Sequence, residues 1–465
     1  MLTLLRHEGL PFLLPYPILN QIQEMKNLSS VWHPNTQMNE WNHFDKIVKG
    51  QGMWLIDSKG NKLLDGVASM WCNVWGHSKK ELIDEIIKQS KKIPHSSLFN
   101  LTNEPAEQLA KKLVKISPNM NHVFYSDNGS TAMEIAFKIA LQYWKNLGIK
   151  NKNILATLEN GYHGDTFGAM SVGYVPQFFS KFKDQLFSVK QIPVPNKYRI
   201  PTGYSFSEYQ KFCLKKMETL FLNNEKIAAF VMESGAQLAG GVIIHPPGFQ
   251  KKISKLCKKY DVLLVLDEIA TGFGRLGSLV QYKAQDSIPD IVAYGKMLTG
   301  GYLTLGATLT TKKIYNSFLG KFNEMKHLFH GHTFTGNPIA SAVANKNLKL
   351  YEKNKLIKKI QNTSKIFEKR KTDFYQCDLV GDVRNKGMLM GIELVKNKKE
   401  KIPISSKTSL NKIIFEMGKS NGIYLRTLGN IVMLVPPLAI SSKELEFLID
   451  RTILTINKIH KKYDF

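Results

Sequence analysis

The sequence predicts an α/β protein: a large domain whose mostly parallel mixed sheet is flanked by helices, plus a small α+β domain built from both chain ends. Three observations predict it. Between about residue 105 and residue 340, short apolar runs alternate with amphipathic helical stretches. Several of those runs are apolar at every position, as strands covered on both faces are. After about residue 345 the pattern changes to a long helix, strand-like segments and a closing helix, and residues 40–75 are strand-rich in the same way.

Taken in order, residues 1–24 have no periodic pattern and carry Pro11, Pro15 and Pro17. They read as a poorly ordered extension, with Met25 as the expected natural start. Residues 25–75 form the first part of the small domain, with strands expected in Gly52-Met-Trp-Leu-Ile-Asp57 and Gly60-Asn-Lys-Leu-Leu-Asp65. Residues 76–344 form the large domain. There Ala132, Ile135, Ala136, Ile139, Ala140 and Tyr143 recur at helical spacing after the turn Asn128-Gly129-Ser130. Strands are expected at 153–157, 228–233, 262–267 and 291–294, with a helix at 247–260 between them. Residues 345–465 complete the small domain: one long basic helix over 345–371, strands near 387–393 and 431–435, and a helix over 441–461.

Composition narrows the class. Hydrophobic residues at 43% and charged residues at 22% are those of an ordinary globular protein. The formal net charge of +26 comes from lysines spread through the whole chain, with no basic arm or tail. It reads as composition bias that steers anionic substrates, not as a nucleic-acid footprint. Cys72, Cys213, Cys257 and Cys377 are far apart and read as free thiols in a reducing compartment. No apolar run approaches the roughly 20 residues of a membrane span. The first residues make a poor signal peptide, so a cytoplasmic location is expected.

The most informative pair is Asp267, closing Val262-Leu-Leu-Val-Leu-Asp267, and Lys296, closing Asp290-Ile-Val-Ala-Tyr-Gly-Lys296. A lysine amine condenses with an aldehyde, and a buried carboxylate pairs with a protonated ring nitrogen. Those are the demands of pyridoxal phosphate. From spacing alone, an exposed turn lysine is an equal reading. Gly129 and Ser130 open a helix, where free N–H groups can bind phosphate, although such a pair is more often only a cap. In Gly161-Tyr162-His163-Gly164-Asp165-Thr166, Tyr162 can stack on a planar ring, and Asp165 suits an amine-bearing substrate. His163 can equally be a hydrogen-bonded loop residue. Arg275 and Arg426 are candidate carboxylate forks, each as readily a structural ion-pair partner. His330-Gly331-His332-Thr333 lacks the carboxylates of a metal site, and a Thr333 hydroxyl beside a phosphate fits it better.

Together these residues, with Asp267-Glu-Ile-Ala-Thr-Gly-Phe-Gly-Arg275, Gly295-Lys-Met-Leu-Thr-Gly-Gly301 and Gly331-His-Thr333, closely resemble the class III pyridoxal-phosphate aminotransferases over residues 31–437. The resemblance implies fold type I of the pyridoxal-phosphate-dependent transferases and a homodimer with active sites at the subunit interface. It implies that Lys296 holds the cofactor aldehyde and later moves the substrate proton, and that Asp267 pairs with the pyridine nitrogen. Tyr162 then stacks on the ring, and Gly129, Ser130 and Thr333 bind the phosphate, Thr333 from the other subunit. His163 and His332 complete the cofactor set, and no metal is implied.

Within the class the chain looks most like the biotin-pathway branch that converts 8-amino-7-oxononanoate to 7,8-diaminononanoate. Four stretches carry this: Val31-Trp-His-Pro-Asn-Thr-Gln-Met38, the run 161–171 with its Asp165, the run 267–277, and Arg426 followed by Leu434-Val-Pro-Pro437. The implied substrate residues are Asn35, Met70, Trp71, Tyr162, Asp165, Arg275, Gly331 and Arg426, with Arg426 on the substrate carboxylate. S-adenosylmethionine is the implied amino donor. Asn35 and Met70 stand where better-known members have aromatics, which loses cation–π contact and leaves lysine as an alternative donor. Another ω-aminotransferase, acting on ornithine, 4-aminobutyrate or a polyamine, is the neighbouring reading. A non-catalytic basic binding protein is the alternative from a different class.

Overall fold

Seven strands form the central sheet, in the spatial order His122–Ser126, Gly306–Thr310, Ile291–Tyr294, Leu263–Asp267, Ile227–Glu233, Ile154–Leu158 and Lys190–Ile192. The computed structural model describes residues 29–41, 43–404 and 409–463; the extension over 1–24 and the expected start at Met25 lie outside them. Neighbouring strands are parallel except at Gly306–Thr310, which runs against both its partners. The sheet is therefore mixed, with one reversed strand.

The four inner strands lie where the apolar runs predict them. Their side chains alternate between two layers. Leu263 and Val265 pack with the helix Gly129–Asn146, while Leu264 and Leu266 join the larger core on the opposite face. The six periodic positions of that helix are all buried, and its alanines let it lie close to the sheet. The reversed strand Gly306-Ala-Thr-Leu-Thr310 carried no apolar signal. Its Thr308 is nevertheless fully buried, because its hydroxyl donates to the Ala132 carbonyl at 2.7 Å. A satisfied hydroxyl can sit in a core that an unpaired one cannot.

The two chain ends meet in one sheet. Ile47–Gln51, Trp54–Asp57 and Lys62–Asp65 form an antiparallel meander, and Ile423–Tyr424 from the far end pairs parallel with Lys62–Asp65. A second sheet contains Val380–Lys386, Leu389–Asn397, Ile431–Leu434 and Arg426–Leu428, all antiparallel. The single helix expected over 345–371 is corrected to three: Pro338–Lys353, Leu356–Thr363 and Lys365–Phe374. The first break comes at Asn354-Lys355. The Asn354 amide donates back to the Leu350 carbonyl at 2.9 Å, and Lys355 turns left-handed at φ 49°. The closing helix Ser442–Lys462 starts at a reciprocal Ser441–Glu444 capping box. Among the described residues no helix is long and apolar enough to cross a membrane.

Leu64 is fully buried and is the register partner of Ile423 across the two chain ends. Leu64→Ala is expected to lower unfolding stability by about 2–5 kcal/mol, the cost of a core cavity, read as a lower denaturant midpoint with both chain ends losing structure together.

Candidate active site

Adjacent parallel strands stop at the same level. Glu233 is the register partner of Asp267, and Asp267 is the partner of Ala293, three residues before Lys296. Lys296 follows Gly295 in a short 3-10 turn that ends at Thr299, with its backbone left-handed at φ 42°. The chain thus delivers two acids and an amine to one edge of the sheet, where α/β folds bind ligands.

Asp267 is 4% exposed, and its carboxylate is well supplied. One oxygen accepts the Ile269 N–H at 2.9 Å, and the other lies 2.9 Å from His163 Nδ1. The other ring nitrogen of His163 is buried without a partner among the described residues. Burial lowers the pKa of Lys296, against the opposing pull of Asp267 and Glu233. That favours the neutral, nucleophilic amine.

Above these groups lies a cavity of about 590 Å³ whose walls include Met70, Trp71, Gly129, Ser130, Tyr162 and His163. The Lys296 amine sits 5.7 Å from the centroid of the Trp71 ring, so that ring faces the cavity. Tyr162 donates its hydroxyl to Asp165 at 2.9 Å, and burial raises its pKa. Gly129 and Ser130 form the first turn of an 18-residue helix capped by Asn128 and Thr131. A Cβ at Gly129 would come within 2.7 Å of the Ile269 side chain, and one at Gly164 within 1.9 Å of the Ser130 hydroxyl. Only glycine lets the backbone lie this close, and first-turn N–H groups at such a place suit an anion. An amine, a fixed carboxylate, an aromatic wall and an anion cradle thus surround one space.

Comparison with known proteins gives the family. The family model for class-III aminotransferases matches residues 36–456. The chain belongs to the class-III aminotransferases. The adenosylmethionine-8-amino-7-oxononanoate aminotransferase of Staphylococcus aureus is 45% identical over 441 residues, covering 93% of this chain and 97% of that protein. The crystal structure of the same-named enzyme from Methanocaldococcus jannaschii superposes with a TM-score of 0.87 at 41% identity, covering 94% of this chain and 99% of that one. The ω-transaminase of Pseudomonas jessenii, solved in complex with PMP, gives 0.88 at 27% identity over 93% of this chain and 96% of that one.

For this class-III aminotransferase, not every residue singled out in the sequence reaches the cavity. Lys296, Asp267, Tyr162, His163, Gly129, Ser130, Met70 and Trp71 line it. Asp165 is exposed and touches it through the Tyr162 hydroxyl. Arg426 stands beside it, donating from Nη1 to the Met70 sulfur at 3.4 Å. Asn35 is exposed and outside the cavity wall. Gly331 lies on the wall of a separate cavity of about 830 Å³, and Thr333 is exposed at the surface. His332 Nδ1 lies 2.7 Å from an Asp127 carboxylate oxygen instead of in the cavity wall.

Arg275 is fully buried and does not line the cavity. Its Nη1 donates to the carbonyls of Met388 and Pro436 at 2.9 and 2.8 Å, tying the glycine-rich loop to the C-terminal segment. Nη1 alone serves these carbonyls, and Nε and Nη2 are buried without a partner among the described residues. Glu233 and Cys72, by contrast, line the cavity and were not singled out. Glu233 carried a legible signal, since it closes an apolar run just as Asp267 does. Cys72 carried none.

Arg275→Ala leaves two buried carbonyls without a donor. Unfolding stability should fall by roughly 2–6 kcal/mol, from about 1–3 kcal/mol for each orphaned group, measured by chemical denaturation. Lys296 should react with an amine-selective reagent at a pH where surface lysines are still protonated, followed by peptide mapping of the cofactor-free protein. Reaction only in step with the surface lysines would contradict the desolvated amine.

Proposed function

We propose that this chain is a pyridoxal-phosphate-dependent aminotransferase that converts 8-amino-7-oxononanoate to 7,8-diaminononanoate, with S-adenosylmethionine as amino donor. The observation that carries the reading is the placing of Lys296 and Asp267 on one cavity with the Gly129–Ser130 cradle at its edge. The groups present fit the cofactor's parts. Lys296 is the amine for the aldehyde, Asp267 the carboxylate for the ring nitrogen, and Tyr162 the stacking wall. The N–H groups of Gly129 and Ser130, with the Ser130 hydroxyl, suit the phosphate, and Thr333 of a second copy completes it. When bound, pyridoxal phosphate supplies an electron sink that makes a C–H bond next to the amine acidic.

The protein's own part is positioning and proton transfer. Lys296, neutral through desolvation, takes the proton from the substrate carbon and returns it to the cofactor side. His163 and the Ile269 N–H fix Asp267 so that its charge stays where the ring nitrogen needs it. Arg426 offers a guanidinium to the acceptor's carboxylate at the Met70 wall. The Trp71 face turned toward the cavity offers a surface for a sulfonium cation. That supports the S-adenosylmethionine reading although Asn35 and Met70 are not aromatic.

The homodimer is part of the proposal. Phe99, Phe329 and Phe334 are 60%, 64% and 57% exposed. A Cβ on Gly331 would come within 2.3 Å of the Phe99 ring, so this apolar surface surrounds the segment that carries Thr333. An aromatic patch of that kind suits a second copy of the chain.

Two outcomes test the reading. Lys296→Ala should abolish transamination and the visible absorbance that depends on the lysine–cofactor bond. Arg426→Ala should weaken the acceptor half-reaction by about 2–5 kcal/mol through loss of a charge-assisted pair. The donor half-reaction, followed as single-turnover bleaching with S-adenosylmethionine, should change little; equal losses would count against Arg426 as the acceptor's carboxylate site. Bleaching by lysine but not by S-adenosylmethionine would replace the donor and keep the enzyme class.

A further inference from the structure

Glu233 closes the strand Ile227–Glu233 as Asp267 closes its neighbour, and the two are direct register partners. Each is 4% exposed. Two carboxylates side by side in a buried wall repel each other, and each needs partners of its own to hold a charge. Asp267 has the His163 imidazole and the Ile269 N–H. Among the described residues Glu233 has no lysine or arginine at ion-pair distance. Its partners are backbone N–H groups, that of Tyr162 to Oε1 at 3.2 Å and that of Leu238 to Oε2 at 3.0 Å.

The surroundings reinforce the asymmetry. The strand Ile154–Leu158 and the hairpin Ala236–Ile244 bring no titratable side chain to Glu233. The titratable groups around it are Asp267, Lys296 across the cavity, and Tyr162 and His163 on the turn that it binds. Glu268, beside Asp267, is engaged elsewhere by the N–H groups of Gln281 and Tyr282. Burial, and then the neighbouring Asp267, push the Glu233 pKa up to about 8 against the opposing effect of the two N–H bonds and of Lys296.

We propose that Glu233 is a positioning residue held as a neutral carboxylic acid: it pins the turn carrying Tyr162 and His163 and leaves Asp267 as the single charged carboxylate of that wall. Its effect on catalysis rests on the proposed reading of the cavity; its protonation state does not. The consequence is specific. An ionised Glu233 would set a second negative charge beside Asp267 and compete with it for His163 and for any cationic ring. A neutral one holds the turn without disturbing that pair.

Infrared difference spectroscopy of the holoenzyme tests this. Wild type at neutral pH should show a carboxylic-acid carbonyl band that turns into a carboxylate band as the pH passes about 8. Glu233→Gln, which stays neutral and keeps a carbonyl acceptor, should lack that band. It should keep kcat within a few-fold and lose the alkaline fall in activity that wild type shows. Glu233→Ala, which frees the Tyr162 turn, should lose kcat by about tenfold or more. A wild-type-minus-Glu233→Gln difference spectrum with a carboxylate band and no carboxylic-acid band at neutral pH overturns the proposal, as does a Glu233→Gln loss equal to that of Glu233→Ala. Glu268, which burial pushes up to about 7, gives a band of its own that persists in both variants, so the Glu233 band is the one that either folded variant removes. If the holoenzyme transfers no amino group, the band still reports on Glu233, so the two readings fail separately.

Discussion

A parallel register that ends three strands at one level is the constraint on which the rest of the structure depends. It sets Glu233 beside Asp267 and Asp267 beside Ala293, and it carries Lys296 over the same edge. Backbone pairing of otherwise apolar strands drives two acids and a lysine into a place poor in water. Removing one partner from a buried charged pair typically costs about 3–5 kcal/mol, so the fold tolerates Asp267 only because His163 and the Ile269 N–H come with it. The same scarcity of water keeps Lys296 poised as an amine. Stability and chemistry here make opposite demands on one set of residues, and the hydrogen bonds around Asp267 reconcile them.

The chain ends supply what the central sheet cannot. Tyr424 is the register partner of Asp65, so the C-terminal segment is fixed against the N-terminal one at a defined level. Arg426 follows two residues after Tyr424, and Met70 five residues after Asp65, and the two side chains touch. The contact between Arg426 and the Met70 wall is therefore assembled from opposite ends of the sequence.

Much of this was legible in the sequence, for identifiable physical reasons. Short runs that are nearly all apolar and bounded by turn signals fit strands covered on both faces, so the inner sheet could be read, and an acid closing such a run announced Asp267. The same signal stood at Glu233 and passed unread because no motif drew attention to it. The reversed strand Gly306–Thr310 was hidden because Thr308 looks polar until its hydroxyl finds a carbonyl. The break at Lys355 was hidden because a lysine gives no hint of a left-handed backbone. Arg275 stayed open between two readings for a related reason. An arginine in a glycine-rich loop has the same sequence signature whether its guanidinium faces a ligand or two backbone carbonyls, and only the path of the chain separates them.

Strain around the cavity shows how firmly the wall is held. Ala68, Ser69, Trp71 and Lys296 all have left-handed backbones without being glycine. Each such residue costs of order 1–3 kcal/mol and persists only where its surroundings over-determine it. Asp65 supplies much of that determination. Fully buried, it accepts the N–H groups of Val67 and Ser69 at 3.2 and 2.8 Å and lies 3.1 Å from the His77 ring. Its backbone meanwhile belongs to the sheet that joins the chain ends. One residue thus fixes both, with its carboxylate holding the turn that presents Met70 and Trp71 and its backbone holding the strand that leads to Arg426. The aromatic face that meets Lys296 is set by a residue outside the cavity wall.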